Sequence, residues 1–403
     1  MNENNKGRII IKKKALAVIL VLTLFIGGLV GGLVTYTGMM QSTKYKVVNG
    51  ESYDKLVYVY NKYAKLDSLY NSLKGSYYSE LDDEKLMNGI YKGLFAATED
   101  PYTVYYTADE YKAMFEKSTG EFYGIGISMT STEDNKILIV NVFDDTPAED
   151  AGVKVGDLVI AVDGQKYSGD ELSDATEAMR GQLNTNVKVT FSRNGREYSK
   201  IITRKKIDIP SVYSTILEDE NIGYIYITAF MANTAADFKT ELRDMESKKV
   251  DGLIIDLRGN GGGMTSAGYE IADLLLPECT VTILEDNQGK RTYINSDASH
   301  TSLEYVILVN GGTASTSEIL TAAVKDNKGG KIIGTQTYGK GITQASSMLN
   351  DQSGGVKITT QQYYSPNGDI INKTGIEPDI VVEFKASDTT DVQFEKAIEI
   401  LTK

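Results

Sequence analysis

Ser315 and Lys340 are two side chains of this sequence that could perform nucleophilic chemistry together. Ser315 lies between an apolar run and a helical pattern, which would expose its hydroxyl beside the free N–H groups of a helix start. A serine hydroxyl becomes a good nucleophile when a base removes its proton, and serine–lysine pairs are known to achieve this. To act as that base, Lys340 needs a pKa lowered from about 10.4 to roughly 7, which burial can produce.

A glycine run and a helix start could supply the remaining parts of such a site. The backbone N–H of Gly262 or Gly263, together with that of Thr316, could form an oxyanion hole. Gln344 follows Lys340 by four residues and could orient the lysine amine through a hydrogen bond.

Each of these segments also has a purely structural interpretation. Ser315 to Glu318 matches a capping box, the glycine run could be a turn, and Lys340 could be a solvated loop lysine. Residues 334–341 match a phosphate-binding loop, except that Gly341 replaces the Ser or Thr that would bind Mg²⁺. We therefore do not expect nucleotide binding.

The scarcity of histidine and cysteine excludes several other chemistries. His300 is the only histidine, so a His-Glu-x-x-His zinc site cannot form, and its polar neighbours predict a surface position. Cys279 is the only cysteine, which excludes an internal disulfide, a thiolate zinc cluster and a Cys-x-x-Cys redox pair. We expect Cys279 to be a small core residue, and we expect neither a metal ion nor another cofactor.

Strands and helices alternate from residue 206 onward, which is typical of an α/β domain with a largely parallel sheet. The predicted strands are Ile222–Thr228, Leu253–Leu257, Tyr305–Val309 and Lys331–Ile333, and the predicted helices cover 234–247, 265–276 and about 316–326. Chemistry in such sheets tends to lie beyond the carboxyl ends of the strands. The loops 256–263, 310–315 and 338–341 follow there, so we expect them to meet.

Residues 115–205 predict a small β-rich module without an ionisable cluster, which favours binding over catalysis. The predicted elements are one strand at Phe122–Ile127, strands at Ile137–Val142, Val155–Val162, Val187–Phe191 and Tyr198–Thr203, and a helix at Leu172–Met179. Asp163-Gly164 and Asn194-Gly195 are typical of tight hairpin turns.

The N-terminal region contains a candidate membrane anchor. Residues 1–14 are basic and residues 15–37 are apolar, which predicts a spanning helix with its N-terminus in the cytoplasm. A cleavable signal peptide is the alternative. Overlapping Gly-xxx-Gly pairs, 27/31 and 28/32, could allow two anchors to pack closely. Residues 45–110 predict helices whose Tyr and Leu stripe could pack on the next domain or form a homodimer.

The charge of the chain argues against one class of partner. Its formal net charge is −13, despite the basic residues at its N-terminus. Because so acidic a chain is poorly matched to a phosphate backbone, we expect no nucleic-acid binding.

In their order and combination, these segments resemble the carboxyl-terminal processing peptidases, from about Tyr91 to Val382. The segments that carry the likeness are Asp100–Thr103, Tyr123–Gly126, Thr146–Ala148, Ala151–Asp157, Arg180-Gly181, Val187–Phe191, Asp256–Gly263, Asn310–Glu318, Tyr338–Gln344 and Gly375–Asp379. The departures are Gly259 for the family's usual Asn, Gly261 for its frequent Pro, Thr316 for its usual Ala and Asp369 for its usual Arg. None of these departures removes the serine or the lysine.

The resemblance implies roles for particular residues. Ser315 would be the nucleophile, Lys340 the general base and Gln344 the residue that orients the lysine. The module at 115–205 would be a PDZ domain that holds a substrate's C-terminal carboxylate through a loop of four residues, namely Gly124, Ile125, Gly126 and Ile127. Arg180 would contact a neighbouring domain, and the PDZ domain would gate access to the site.

We therefore predict an α/β peptidase core with an inserted β-rich PDZ domain, a helical N-terminal region and one transmembrane helix. The predicted boundaries are 1–14 for a cytoplasmic basic segment, 15–37 for the anchor, 45–110 for the helical region, 115–205 for the PDZ domain and 206–403 for the core, on which 91–114 would pack.

The predicted function is that of a serine endopeptidase anchored in the cell membrane, with its catalytic domain outside the cytoplasm. Its partners would be proteins or peptides with free C-termini. The alternative is a catalytically silent PDZ scaffold that only binds peptides.

Overall fold

The computed structural model describes residues 12–41, 49–119, 121–385 and 388–403. The chain divides into two compact units, Met1–Leu86 and Met87–Lys403, and each is described by itself. Most of the predicted basic segment lies outside the described residues.

The first unit is helical. Its helices are α1 (Lys13–Gln41), α2 (Gly50–Ser76) and the beginning of α3 (Asp83–Ala96). Within the described residues, α1 is the one helix long and apolar enough to cross a membrane. The predicted Tyr and Leu stripe lies on a helix, α2, whose N-terminus is capped by the Asn49 side chain and none of whose residues is buried.

The second unit contains a β-rich module that covers most of the PDZ prediction. Its elements are β2 (Glu121–Gly124), β3 (Ile127–Ser131), β4 (Ile137–Val142), α5 (Pro147–Asp150), β5 (Leu158–Val162), β6 (Gln165–Lys166), a 3₁₀ turn (Gly169–Glu171), α6 (Leu172–Met179), β7 (Asn186–Arg193), β8 (Arg196–Thr203) and β9 (Lys205–Asp208), and they follow α4 (Ala108–Thr119). Strands β3 to β8 form a six-stranded sheet with β3 at one edge, and β2 pairs with β9 separately. The α6 helix packs with this sheet around a common apolar core.

One prediction in this module is wrong. The single strand predicted over Phe122–Ile127 is two strands, β2 and β3, which belong to different sheets. The chain turns at Gly126, which has a φ of +89° that side chains rarely adopt. A Cβ atom there would lie 2.3 Å from the Thr146 side chain, so glycine is also required by packing.

The peptidase-like region is a twisted sheet between helices. Its elements are β10 (Val212–Leu217), β11 (Ile222–Ile227), α7 (Thr234–Lys248), β12 (Gly252–Asp256), α8 (Thr265–Leu275), β15 (Tyr305–Val309), α9 (Thr316–Asp326), β16 (Lys331–Gly334), β19 (Ile380–Val381) and α10 (Val392–Leu401). The strand order is β10-β11-β12-β15-β16-β19, antiparallel only at β10, which confirms the predicted parallel sheet.

The two central strands of the parallel sheet, β12 and β15, are buried in every position, so the sheet is covered on both faces at its centre. Leu253 and Ile255 of β12 contribute to the larger core, which also contains residues of α7, α8 and α9. Ile254, between them, points to a smaller cluster that contains Ala397 of α10. This alternation is the period of two expected for a strand. The parallel pairing of β12 with β15 places their carboxyl ends side by side.

A second sheet was not predicted. It consists of β1 (Val104–Thr107), β18 (Gly354–Tyr364), β13 (Thr280–Asp286) and β14 (Arg291–Asn295), with β17 (Ile342–Met348) paired to β18. The β1–β18 pairing brings a segment that precedes the PDZ-like module onto the peptidase-like region. Since β17 begins directly after Gly341, a strand rather than a helix follows the segment that resembled a phosphate-binding loop.

Candidate active site

Ser315 lies at the sharp connection between β15 and α9. Its backbone φ of +59° and ψ of −119° are rare for a non-glycine residue and cost on the order of 1–3 kcal/mol. An ordinary N-cap residue has an extended backbone instead, so Ser315 is more than a helix cap. The surrounding chain maintains this conformation and leaves the residue 8% exposed.

The buried Glu318 carboxylate joins the serine segment to the lysine loop. It accepts hydrogen bonds from Ser315 N–H (2.9 Å) and from the Thr337 hydroxyl (2.6 Å). It also accepts from Gly339 N–H (2.7 Å) and Lys340 N–H (2.8 Å). The glutamate side of the predicted capping box is therefore formed, but the same carboxylate also fixes the loop that carries the candidate base.

Tyr363 makes a second connection between the two segments. Its hydroxyl lies within hydrogen-bonding range of the Ser315 carbonyl oxygen (3.1 Å) and of the Lys340 carbonyl oxygen. Burial raises the pKa of Tyr363 well above its ordinary value, so the phenol keeps the proton that it donates. Sequence reasoning missed this residue because only the β17–β18 sheet brings it to the site.

Lys340 is half-buried beneath an aromatic ring. Burial lowers its pKa from 10.5 to about 8, and the positive charge of Lys357 acts in the same direction, whereas Asp100 and Glu318 oppose it. The Lys340 ammonium lies 4.1 Å from the centroid of the Tyr102 ring, which is close enough for a cation–π contact. Lys340 is therefore not the solvated loop lysine that was the alternative interpretation of the sequence.

Tyr102 belongs to a segment that sequence analysis had connected to the site only through family resemblance. Asp100 accepts hydrogen bonds from Tyr102 N–H (3.0 Å) and the Thr103 hydroxyl (2.7 Å). The Thr103 hydroxyl in turn accepts from Thr359 N–H (3.0 Å). These contacts fix the Tyr102 ring over Lys340.

Gln344 lies near Lys340 without bonding to it. Its amide nitrogen donates to the Thr359 hydroxyl (3.2 Å), and the described residues contain no hydrogen bond between Gln344 and the Lys340 amine. The two side chains nevertheless line the same cavity. The predicted hydrogen bond is therefore absent, although the predicted proximity is present.

The glycine loop at 259–263 packs closely against the Ser315 segment. Gly262 has a φ of +92°, and a Cβ atom there would lie 2.7–2.8 Å from Ala314 O, Ser315 Cβ and Thr316 N. The N–H of Gly262 donates to Asn260 Oδ1 (2.8 Å), so it is not free to bind an oxyanion. Within the described chain, neither Gly263 N–H nor Thr316 N–H has an acceptor.

Ser315, Lys340 and Gln344 line one cavity of about 850 Å³ together with Gly261, Gly262 and Gly263. The three loops predicted at the carboxyl ends of the strands therefore meet. The arrangement combines a hydroxyl, an amine with a lowered pKa and free backbone donors, which are the components of acyl transfer through a serine nucleophile.

The module at 121–208 has a separate small groove. Its lining includes the four predicted loop residues, Gly124, Ile125, Gly126 and Ile127, along with Arg180. Within the described residues, the N–H groups of Ile125 and Gly126 have no acceptor. These free amides are suited to a carboxylate.

Arg180 connects this groove to helix α4. Its guanidinium donates to Glu116 (3.1 Å) and Glu177 (3.2 Å), while its Nε is buried and has no hydrogen-bond partner among the described residues. Arg180 thus pairs with the last turns of α4, just before the first strand of the module and within the predicted bounds 115–205.

The two scarce residues lie away from the cavity. His300 is exposed, as predicted. Cys279 is partly buried and packs against the large core rather than within it, and its backbone N–H is bound by Ser296 Oγ.

Family models match three parts of the chain. Peptidase family S41 matches residues 221–382, a PDZ domain matches 124–201, and the activating protease CtpB N-terminal domain matches 28–110.

Curated relatives extend these matches over most of the chain. The carboxy-terminal processing protease CtpA of Bacillus subtilis is 33% identical over 80% of this chain and 69% of its own length. The carboxy-terminal-processing protease of Bartonella bacilliformis is 34% identical over 80% of this chain and 76% of its own length. A solved photosystem II D1 C-terminal processing protease is 28% identical, with a TM-score of 0.47 over 82% of this chain and 90% of that one. This chain belongs to the carboxy-terminal processing proteases, a family of S41 serine proteases with a PDZ domain and a helical N-terminal region.

Proposed function

We propose that this protein is a membrane-anchored serine endopeptidase that binds substrate C-termini in its PDZ domain and cleaves nearby with Ser315 and Lys340. The observation that carries the proposal is the shared cavity, in which Ser315 and the half-buried Lys340 face the same space. With a pKa of about 8, about one lysine in ten is neutral at pH 7. That fraction is sufficient for a general base.

In the proposed mechanism, the neutral Lys340 amine takes the proton of the Ser315 hydroxyl as its oxygen attacks the peptide carbonyl carbon. The carbonyl π electrons move onto the oxygen, which the free N–H groups of Gly263 and Thr316 stabilise. The role of Gly262 is then to let the loop approach Thr316, not to donate.

Collapse of the tetrahedral intermediate breaks the C–N bond. The Lys340 ammonium gives its proton to the leaving amine and becomes neutral again. Water then attacks the acyl-enzyme, with Lys340 accepting its proton and returning one to Ser315 as the acid product leaves. Gln344 acts as a positioning residue here, through Thr359 rather than through the lysine itself.

Substrate recognition would use the free edge of the PDZ sheet. A C-terminal tail would add as a strand beside β3, with its carboxylate on the N–H groups of Ile125 and Gly126. Arg180 lines this groove, and its guanidinium, whose buried Nε has no partner among the described residues, would bind the same carboxylate. Since Arg180 also pairs with Glu116 of α4, tail binding would loosen that contact and gate access to the cavity.

The helix α1 supports the proposed location. Its 29 residues would span about 43 Å, which exceeds the roughly 30 Å hydrocarbon core of a bilayer. We propose an uncleaved anchor in the cell membrane, with the N-terminus in the cytoplasm and the catalytic region outside. A homodimer would form through the N-terminal region.

Cleavage of a disordered polypeptide with an apolar C-terminus tests this function. The full chain, purified in detergent, would be compared with Ser315→Ala and Lys340→Ala, and the products identified by mass spectrometry. We expect internal cleavage near the C-terminus that each variant reduces by at least about 10³-fold. Binding of the tail without cleavage would favour the scaffold alternative, and cleavage that survives Ser315→Ala would refute the assigned nucleophile.

A further inference from the structure

The charge of the cavity around Ser315 is opposite to that of the whole chain. The chain has 55 acidic and 42 basic residues. The residues that line the cavity nevertheless include two lysines, Lys340 and Lys357, and neither an Asp nor a Glu. The nearby carboxylates, Asp100 and Glu318, lie outside the lining and already accept several hydrogen bonds each. The cavity is thus a cationic site in an acidic protein.

Lys357 is the cation of this cavity that the proposed chemistry does not use. It lies on β18, where its backbone is paired with Ser346 on one side and Val104 on the other. Its side chain lies on the same face of the sheet as Thr359, two residues later, which contacts Gln344 of the site. The position of Lys357 is therefore fixed by two neighbouring strands rather than by a loop.

The Lys357 ammonium has no counter-ion among the described residues. It forms neither a salt bridge nor a hydrogen bond with any of them, although the side chain is half-buried. Burial lowers its pKa, as expected for a cation that is partly removed from water without a partner. Partial burial of an unpaired charge is unfavourable, and a bound anion would relieve this cost.

We propose, on the basis of the function proposed above, that Lys357 binds a carboxylate of the substrate chain and so determines specificity in the cleft. The carboxylate is either an acidic side chain near the scissile bond or the terminal carboxylate of the tail. Lys340 is unsuited to this role because a bound carboxylate would keep it protonated. The apolar side chains of Met114 and Met264 line the same cavity and would strengthen the ion pair by excluding water.

A peptide series measures this specificity directly. Quenched fluorescent peptides carry a single Glu or Gln at successive positions around the cleavage site, and each is made with a C-terminal acid or amide. The full chain would be compared with Lys357→Met and Lys357→Arg. Lys290→Met serves as the control, because Lys290 is exposed and its loss changes the net charge equally.

We expect the wild-type protein to prefer Glu over Gln by roughly tenfold in kcat/KM at one or two neighbouring positions. The ratio should fall to about one in Lys357→Met and persist in Lys357→Arg and Lys290→Met. Since each ratio compares two substrates of one enzyme, any general effect on Lys340 or on folding cancels. If the terminal carboxylate is the ligand, the acid-to-amide ratio should fall in Lys357→Met instead.

The proposal is overturned if neither ratio changes in Lys357→Met, or if the wild-type protein shows no preference. If the wild-type protein cleaves none of the peptides, or if cleavage persists in Ser315→Ala, the result would count against the proposed function instead. In that case peptide affinities are measured by fluorescence anisotropy with two proteins, Ser315→Ala and the double variant that combines Ser315→Ala with Lys357→Met. The Glu-to-Gln and acid-to-amide ratios are then ratios of these affinities. Equal ratios in those two proteins would overturn the role of Lys357, and a reduced ratio would support it.

Discussion

Two glycine-rich loops of this protein, at 259–263 and at 124–127, differ in which of their backbone N–H groups have an acceptor. In the loop at 259–263, Gly262 packs on the serine segment and its N–H is bound by Asn260. In the loop at 124–127, Gly126 packs on Thr146, while the N–H groups of Ile125 and Gly126 have no acceptor among the described residues. The Gly262 donor of the first loop is thus used within the chain, and Gly263 N–H remains free there, whereas two consecutive donors of the second loop remain free.

The two regions differ in what their contacts do: those around Ser315 position side chains, and those around the PDZ groove leave groups free for recognition. Around Ser315, buried contacts from Glu318 and Tyr363 hold the chemical groups before any substrate arrives. Around the PDZ groove, the contacts of Arg180 involve partly exposed carboxylates, which another anion can replace. We infer that substitutions in the first region impair the chemical step, whereas those in the second region impair binding.

The largest effect should follow replacement of the buried carboxylate by Glu318→Ala. Four donors would lose their acceptor, and each buried unsatisfied donor costs about 1–3 kcal/mol. We expect unfolding free energy to fall by more than about 3 kcal/mol and cleavage to fall by about 10³-fold. Denaturant unfolding and the cleavage rate are the readouts.

Glu395→Ala is the matched control because Glu395 is an exposed helical glutamate. It should leave both quantities almost unchanged. Normal cleavage by Glu318→Ala would show that the two loops hold their positions without this carboxylate.

The second effect concerns the closely packed glycine. In Gly262→Ala the new methyl group would collide with Ala314 O and Thr316 N, displacing the loop from the serine. A misplacement of about 1 Å can cost about 10²-fold in rate, so kcat should fall by that order. Gly261→Ala is the control, since no atom lies within 4 Å of its Cβ position. Equal activity of the two variants would contradict the packing argument.

A third, smaller effect is expected in the recognition groove. Arg180→Met removes the buried Nε and should weaken binding of a fluorescent C-terminal peptide by about tenfold, with kcat at saturation unchanged. Arg196→Met, at an exposed position of the same module, should bind the peptide normally. Unchanged affinity in Arg180→Met would remove this residue from the carboxylate site.

The smallest effect is a displacement of the pH profile. Neutral Lys340 is the proposed reactive form, so activity should rise with pH through its pKa of about 8. The positive charge of Lys357 disfavours protonation of Lys340. Removing that charge in Lys357→Met should raise the pKa of Lys340 and move the rising part of the pH–rate profile to higher pH. At pH 7 the rate should fall a few-fold, while the maximum rate at high pH should be unchanged.

Lys357→Arg retains the charge and should show the wild-type pH profile. If the midpoint of the rise moves to lower pH in Lys357→Met, or does not move, the electrostatic contribution of Lys357 would be contradicted.

Local sequence signals predicted the elements that hold the candidate site. The apolar run Tyr305–Val309 and the helix at 316–326 have the predicted bounds, because an Asn-Gly-Gly turn separates them. The predicted meeting of three loops also follows from strand order, since β12 and β15 are parallel neighbours. Ser315 was proposed from its position between a strand and a helix, Lys340 from its flanking glycines, and both from the family resemblance, in a chain with one histidine.

The parts of the site that were missed depend on pairing between distant segments. Tyr102 reaches Lys340 because the adjacent strand β1 pairs with β18, and Lys357 reaches the cavity because β18 also pairs with β17. No local pattern indicates either pairing. Glu318 was expected only as a cap partner, because its bonds to Gly339 and Lys340 are tertiary.

The sequence allowed either Gly262 or Gly263 to supply an oxyanion-hole N–H, and the structure shows the N–H of Gly262 bound by a buried asparagine side chain. Glycine spacing alone does not reveal which backbone donors remain free.

The most direct test of the account is the pH dependence of covalent labelling by a fluorophosphonate. The reagent needs only an activated serine, so the measurement is independent of substrate, PDZ binding and gating by a tail. We predict modification of Ser315, located by mass spectrometry, with a rate that rises with pH to a plateau and a midpoint near 8. The rate should be lost in Lys340→Met. Labelling of another serine, or a rate that does not depend on Lys340, would contradict the central claim that these two residues act as a pair.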